Sequence, residues 1–229
     1  MIRIQGEGVF AGVVQGRLHC YHRVGAATVK NAGADPEREK IRLAEACSRA
    51  KEQLRTLTER CLREVGVEAA QVFASHAMLL EDEDYLSRIE EVLLREQCCA
   101  EYAVQQAGKM FASLFETMDD PYMRERGGDI LDVTWRLLRS LAGAGTGGAA
   151  TEGPVILVAD DLNPTEFIEL DREQMLAIVI RRDSRHSHAV ILARQMGIPI
   201  ICNLGDCLQP EYHGHMARVD GTTGIVTIF

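Results

Sequence analysis

From Asp35 to Leu141 the apolar residues return at alternating intervals of four and three, and beyond a run of Ala, Gly and Thr at residues 142–153 that rhythm stops. A four-three interval places side chains on one face of a helix, whereas short unbroken apolar runs suit strands buried on both faces. The chain is therefore divided between two kinds of structure. Asp35 suits a helix cap and Pro36 the first helical position, and Leu43, Cys47, Ala50, Leu54, Leu57 and Cys61 form one stripe. "VEAAQVFASHAMLL" predicts a second helix. "DYLSRIEEVLLREQ" predicts a third with Leu86, Ile89 and Leu93 on one face, and Ala100, Val104, Ala107, Phe111, Leu114 and Met118 mark a fourth. After Asp119, Asp120 and Pro121 a fifth carries Ile130, Val133, Leu137 and Leu141. Stripes of this kind pack as an antiparallel helical bundle.

Residues 142–153 read as a flexible linker. Beyond it "PVILVA", "MLAIVI" and "PIIC" are candidate buried strands, "HMARVDGTTGIVTIF" reads as a hairpin around Asp220 to Gly224, and helical signals fall at "NPTEFIEL" and "SHAVILARQMG". This alternation predicts an α/β domain. The first two dozen residues are also strand-like and punctuated by glycine. They are expected to return to the C-terminal sheet, so that 1–24 and 145–229 form the α/β domain and 25–144 an inserted all-α bundle.

Composition narrows the function classes. The 229 residues are 46% hydrophobic and 26% charged, as in ordinary soluble domains, and no apolar run approaches the roughly 20 residues of a membrane helix. Seven cysteines, an odd number without a CxxC pair, suggest a reducing cytoplasm. The net charge of −9 and the lack of a long Lys/Arg block argue against nucleic acid and favour a basic protein partner.

The segment "SHAVILARQMG" has Ser187 as a suitable N-cap and Gly197 as a suitable residue just past the helix end, with Ala189, Leu192, Ala193 and Met196 on one apolar face. His188 then falls in the first turn. Exposed amide hydrogens and the positive end of the helix dipole favour an anion there by about 0.3 to 1 kcal/mol when exposed, and up to about 2 when partly buried. The same field disfavours an imidazolium, so a neutral ring is placed to act as a nucleophile and its phosphorylated form gains from the field. The plainer alternative is a histidine that simply hydrogen-bonds near a cap.

"SHAVILAR" with the following "GIP", preceded by "VILVADDLNPTE", resembles the phosphohistidine segment of the phosphoenolpyruvate-utilising enzymes, in particular the N-terminal half of enzyme I of the bacterial phosphotransferase system. "FASHAMLLEDEDYL" and "YMRERGGDILDVTWRLLRSL" fall in the same order and spacing, so the resemblance covers nearly the whole chain. It implies a swivelling phosphohistidine α/β domain with an inserted helical domain that docks the small phosphocarrier HPr. It also implies that His188 is phosphorylated on Nε2 and exchanges its phosphoryl group with a histidine of HPr. Arg185, Ser187 and Arg194 become phosphate-supporting candidates. Positions that contact HPr match Glu68, His76, Leu79, Glu83 and Arg126. No cofactor is expected in this chain, magnesium belonging with a phosphoenolpyruvate-binding barrel that the resemblance places beyond it. A monomer is expected in the absence of that barrel.

The match has gaps. Where the family reads Gly-Gly-Arg-Thr-Ser-His, this chain has Asp183, Ser184, Arg185, His186, Ser187 and His188. A carboxylate at Asp183 about 6 Å from a phosphoryl charge, at an effective dielectric of about 20, repels it by about 3 kcal/mol. Arg182 or Arg185 is placed to offset this. Phe167 stands where the family tends to carry a small hydroxyl residue able to hydrogen-bond the histidine, and Phe10, Ala11 and Gly12 replace a Ser-Pro-Gly turn. Two function classes therefore stay open: phosphoryl transfer through His188, or a non-catalytic or regulatory HPr-binding module with a degenerate phosphorylation site.

In "HAMLLEDED", His76, Leu79 and Leu80 are expected to anchor a partner within a rim formed by Glu81, Asp82, Glu83 and Asp84. The plainer reading is a solvated helix end. Cys202, Cys207, His213 and His215 have the residue types of a zinc site but not its spacing. His186 ranks behind His188 as phosphoacceptor, because it precedes the cap and lies outside the matching pattern.

Overall fold

The computed structural model describes residues 1–21, 30–31, 33–143, 153–182, 188–205 and 209–229. The chain divides into two compact units. Met1–Val24, Cys61–Ala69 and Gly147–Phe229 form the first, and Gly25–Arg60 with Ala70–Thr146 form the second.

The first unit is built on an eight-stranded sheet. Its strands are β1 (Ile2–Gln5), β2 (Glu7–Phe10), β3 (Val13–Tyr21), β4 (Val155–Ala159), β5 (Met175–Ile180), β6 (Ile200–Cys202), β7 (Met216–Asp220) and β8 (Ile225–Ile228). They lie in the order β1-β8-β7-β3-β4-β5-β6-β2. The expected return of the N-terminus to the C-terminal sheet is thus seen directly. β1 and β2 are separated by Gly6 alone, yet β1 pairs with β8 at one end of the order and β2 with β6 at the other. One N-terminal stretch therefore bridges both edges, and the sheet closes on itself, which leaves fewer unpaired backbone groups for another chain to capture. The closure demands glycine: a Cβ on Gly221 would lie 2.1 Å from the Phe10 carbonyl oxygen, and one on Gly8 2.4 Å from the Gly221 oxygen.

β3, β4, β5 and β6 run parallel. Ile156 and Val158 of β4 and Ala177 and Val179 of β5 join the core cluster with Ile4, Leu18, Val219 and Val226, while the alternate Leu157, Ile178 and Ile180 are buried on the opposite face. Burial on both faces explains the continuous apolar runs in the sequence. Helices α6 (Pro164–Glu169) and α7 (His188–Gln195) follow β4 and β5 and pack against one another.

In the second unit the helices are α1 (Pro36–Glu64, whose last residues belong to the first unit), α2 (Val67–Leu79, whose first residues also do), α3 (Glu83–Glu96), α4 (Ala100–Glu116) and α5 (Pro121–Leu141). Asp35 caps α1 by accepting from the Glu37 amide at 3.1 Å. Ser140 Oγ donates to the Ala46 carbonyl at 2.9 Å and Arg136 Nη1 to Gln53 Oε1 at 2.9 Å, a pairing that sets α5 antiparallel to α1. The stripes of α1 and α5 are buried as expected.

Two stripes differ from expectation. In α3 the buried face is Tyr85, Ile89, Val92 and Leu93, and Leu86 is only half-buried, because the Tyr85 hydroxyl finds Thr134 Oγ1 at 2.9 Å in the core. In α4 the small residues Ala103, Ala107, Gly108 and Ala112 face α5, leaving Leu114 and Met118 exposed. Close approach decides this: a Cβ on Gly108 would lie 2.2 Å from Thr134 Oγ1. The linker at 144–152 lies outside the described residues.

Candidate active site and docking surface

At the carboxyl edge of the parallel strands the chain leaves β3 at Tyr21, β4 at Ala159 and β5 at Ile180. Parallel α/β sheets, open or closed, place their ligands at this edge. The edge is braced from within. Arg181 and Arg182 donate backbone N–H groups to the Ala159 and Asp160 carbonyls at 2.9 and 3.0 Å, and Arg181 Nη1 pairs with Asp160 Oδ1 at 2.9 Å. Beside them burial pushes the Cys20 thiol up from its usual range, and the Arg181 guanidinium partly offsets this.

α6 opens with a full capping box. Asn163 Oδ1 accepts from the Glu166 amide at 2.7 Å, and Glu166 Oε2 accepts from the Asn163 amide at 3.1 Å. The second carboxylate oxygen, Oε1, accepts from the Tyr21 hydroxyl at 2.8 Å, tying the end of β3 to this helix. Glu166 is 4% exposed, so its charge is held almost wholly by protein donors.

His188 is the first residue of α7 and is half-buried. Behind it Ala189, Val190, Leu192 and Ala193 anchor the helix in the core. Gly197, at φ +70°, ends the turn as expected, and the Ile198 amide donates to the Ala193 carbonyl at 2.9 Å. The imidazole is thus carried in the first turn of a helix anchored in the core, the end at which unpaired amides gather.

Residues 5–126 match the family description "PEP-utilising enzyme, N-terminal", and residues 151–224 match "PEP-utilising enzyme, mobile domain". The chain belongs to the PEP-utilising enzyme family. It is 32% identical over 226 residues to a phosphoenolpyruvate-protein phosphotransferase of Bacillus sp. (strain S), an alignment covering 98% of this chain and 39% of that protein. Against the protein of that name from Bacillus subtilis (strain 168) the identity is 32% over 229 residues, covering 100% and 40%. The chain thus spans well under half the length of these relatives. A solution structure described as Enzyme I (nEIt) superposes with a TM-score of 0.73 at 26% identity, covering 98% of this chain and 92% of that one. The resemblance and the fold class expected from the sequence are both established.

Against this family frame the individual site residues fall into three groups. Arg185 and Ser187, with Asp183, Ser184 and His186, lie outside the described residues. Arg194 is exposed in the last turn of α7, where a cation complements the carbonyl end of the helix. Glu68 groups with the first unit and accepts from Gln195 Nε2 at 3.1 Å, at the end of the helix that His188 begins.

Leu79, Glu83 and Arg126 share the second unit. Leu79 is half-buried and borders a cleft of about 190 Å³ with Tyr85, Phe111, Phe115, Ile130 and Val133, and Asp82 and Asp84 line the same cleft. Glu83 and Arg126 are exposed, Arg126 one turn before Ile130 on the same helix face. His76 requires a correction. It is 1% exposed, and its Nε2 stands 3.3 Å from Asp129 Oδ1, so it braces α2 against α5 from behind the surface. Leu80, at 0% exposure, is core as well, while Met78 at 71% is an apolar residue that the end of α2 presents to solvent. Met78 lies between the expected anchors His76 and Leu79, and nothing in the sequence sets it apart from them.

Among the described residues no three His, Cys, Asp or Glu side chains are grouped to hold a metal, and Cys207 lies outside those residues. His213 instead accepts through Nδ1 from the Cys20 amide at 3.1 Å, and its ring centroid lies 5.1 Å from that of His19. Among the described residues no helix is long and apolar enough to cross a membrane.

Proposed function

We propose that this chain is the phosphohistidine-bearing part of a phosphoenolpyruvate-protein phosphotransferase, in which His188 exchanges a phosphoryl group with a small HPr-like carrier of the sugar phosphotransferase system. One observation carries the proposal: His188 begins a buried-face helix at the carboxyl edge of the parallel strands, in a PEP-utilising family member whose relatives are named phosphotransferases. On this reading the division falls at 1–24 and 145–229 for the phosphohistidine domain and at 25–144 for the carrier-docking domain, and the chemistry takes place in the cytoplasm.

His188 Nε2 attacks phosphorus in line as the bond from phosphorus to the carrier's ring nitrogen breaks. Each ring keeps the proton on its other nitrogen, so one neutral imidazole is consumed and one released. Little covalent work falls to the protein, and rate comes from positioning and from donors aimed at the phosphoryl oxygens. The first-turn amides of α7 supply such donors, and Arg185 and Ser187, which precede His188 in the sequence, are the side-chain candidates. On this reading the exchange between the two histidines needs no metal or cofactor from this chain. The carrier docks through the exposed Met78, Glu83 and Arg126 and the half-buried Leu79, an apolar centre with an acidic rim that suits a basic partner.

Phe167, 1% exposed and without a polar atom, supports a second reading, a carrier-binding module that no longer transfers phosphate. Mixing the chain with the phosphorylated carrier separates the two. Transfer predicts acid-labile phosphate on the chain that is lost in His188→Ala. Carrier binding without label establishes the second reading.

A further inference from the structure

Asn163 is 5% exposed, and capping explains only half of its side chain. Its Oδ1 is fixed by the Glu166 amide, which settles which end of the carboxamide is oxygen and turns the nitrogen away. Nδ2 is buried there without a hydrogen-bond partner. Serine, threonine or aspartate would cap the helix equally well without burying an amide donor unpaired, and an unmet buried donor is costly. The carboxamide nitrogen is thus left in want of an acceptor.

The fold shows where such an acceptor arises. β4 and β5 are adjacent and parallel, and the helices that follow them pack together with their first residues at the same sheet edge. Asn163 opens one of these helices and His188 the other. Phe167 lies one turn beyond Asn163 on the same face and offers no hydrogen bond. We infer that Asn163 binds the phosphoryl group on His188, its Nδ2–H donating to a phosphoryl oxygen from one turn upstream of the position filled by Phe167. This rests on the reading of His188 as phosphoacceptor. A phosphoryl group brings charged oxygens, the strongest acceptors for a buried amide.

Asn163→Thr is the informative variant, because it keeps an oxygen for the Glu166 amide and removes the donor. With the full chain and the phosphorylated carrier, two quantities are read: the equilibrium fraction of phosphorylated His188, and the Asn163 side-chain amide resonances with and without phosphate. The expected result is that Asn163→Thr keeps its thermal midpoint but lowers the phosphorylation equilibrium about tenfold. In the wild-type chain the Asn163 amide protons move to hydrogen-bonded shifts on phosphorylation. Resonances that stay in place while His188 is fully phosphorylated overturn this inference and leave the phosphoacceptor intact. A wild-type chain that takes no phosphate overturns the underlying reading, and the inference with it.

Discussion

The Tyr21 hydroxyl donates to Glu166 Oε1 at 2.8 Å, joining the last residue of β3 to the first helix after β4. Because Glu166 is buried, this donor does more than a surface bond would. Tyr21→Phe is expected to cost about 1–3 kcal/mol, the range for depriving a buried acceptor of a donor. Denaturant unfolding measures this, and a change below a few tenths of a kcal/mol would show that the bond is dispensable.

His76 and Asp129 give a test that separates bracing from contact. His76→Ala removes the 3.3 Å interaction with Asp129 and leaves space beside Phe73, whose ring meets the His76 ring edge-on. A loss of about 2–4 kcal/mol of stability in the helical unit is expected. Glu83→Lys, at an exposed position, is expected to stay within about 0.5 kcal/mol in stability yet weaken carrier binding and its salt dependence. Calorimetric titration beside thermal melts distinguishes the two variants, and unchanged carrier affinity in Glu83→Lys would remove this surface from the account.

Glu39 joins α1 to the start of α4. It is 7% exposed, and its Oε2 accepts from the Ala100 amide at 2.8 Å and from Arg42 Nη1 at 2.7 Å. Arg42 also pairs with Glu101, and hydrogen bonds to both carboxylates push the guanidinium's pKa up. Glu39→Ala exposes a helix-start amide to an apolar setting and is expected to cost about 2–3 kcal/mol. Glu101→Gln, at a more open pair, is expected to cost about 0.5 kcal/mol or less. Equal losses in chemical denaturation would contradict this ordering.

The division into helical and α/β parts was legible because the periodicity itself changes near residue 142, and the short helix that His188 begins was legible because Gly197 marks its end in the sequence. The tie from Tyr21 to Glu166 was not, since 145 residues separate the partners and only sheet closure brings them together. His76 misled because it falls among the positions matched to carrier contact, whereas its partner Asp129, three helices further along the chain, satisfies it in the interior. Leu114 and Met118 misled in the opposite sense. Their spacing fits a stripe, but Gly108 against Thr134 draws the small-residue face of α4 onto α5 instead.

His19 gives the fold a pH dependence. Burial, and then the neighbouring His213, hold its pKa below the ordinary histidine value of about 6.5. The folded chain therefore binds this proton less readily than the unfolded chain. The stabilisation is fully present above the ordinary value and is lost as pH falls from there through the depressed folded value. His19→Gln is expected to flatten the fall in stability between about pH 7 and pH 5. Unfolding curves across that range check it, and an unaltered slope would contradict it.

The most direct test follows the phosphoryl group to a single ring nitrogen. The full chain, labelled with ¹⁵N in its seven histidines, is mixed with the phosphorylated carrier and its imidazole nitrogens are observed by NMR. The account predicts a one-bond phosphorus coupling at Nε2 of His188 alone, absent in His188→Gln. Coupling at His186, or no coupling at any of the seven rings while the carrier remains bound, would contradict it.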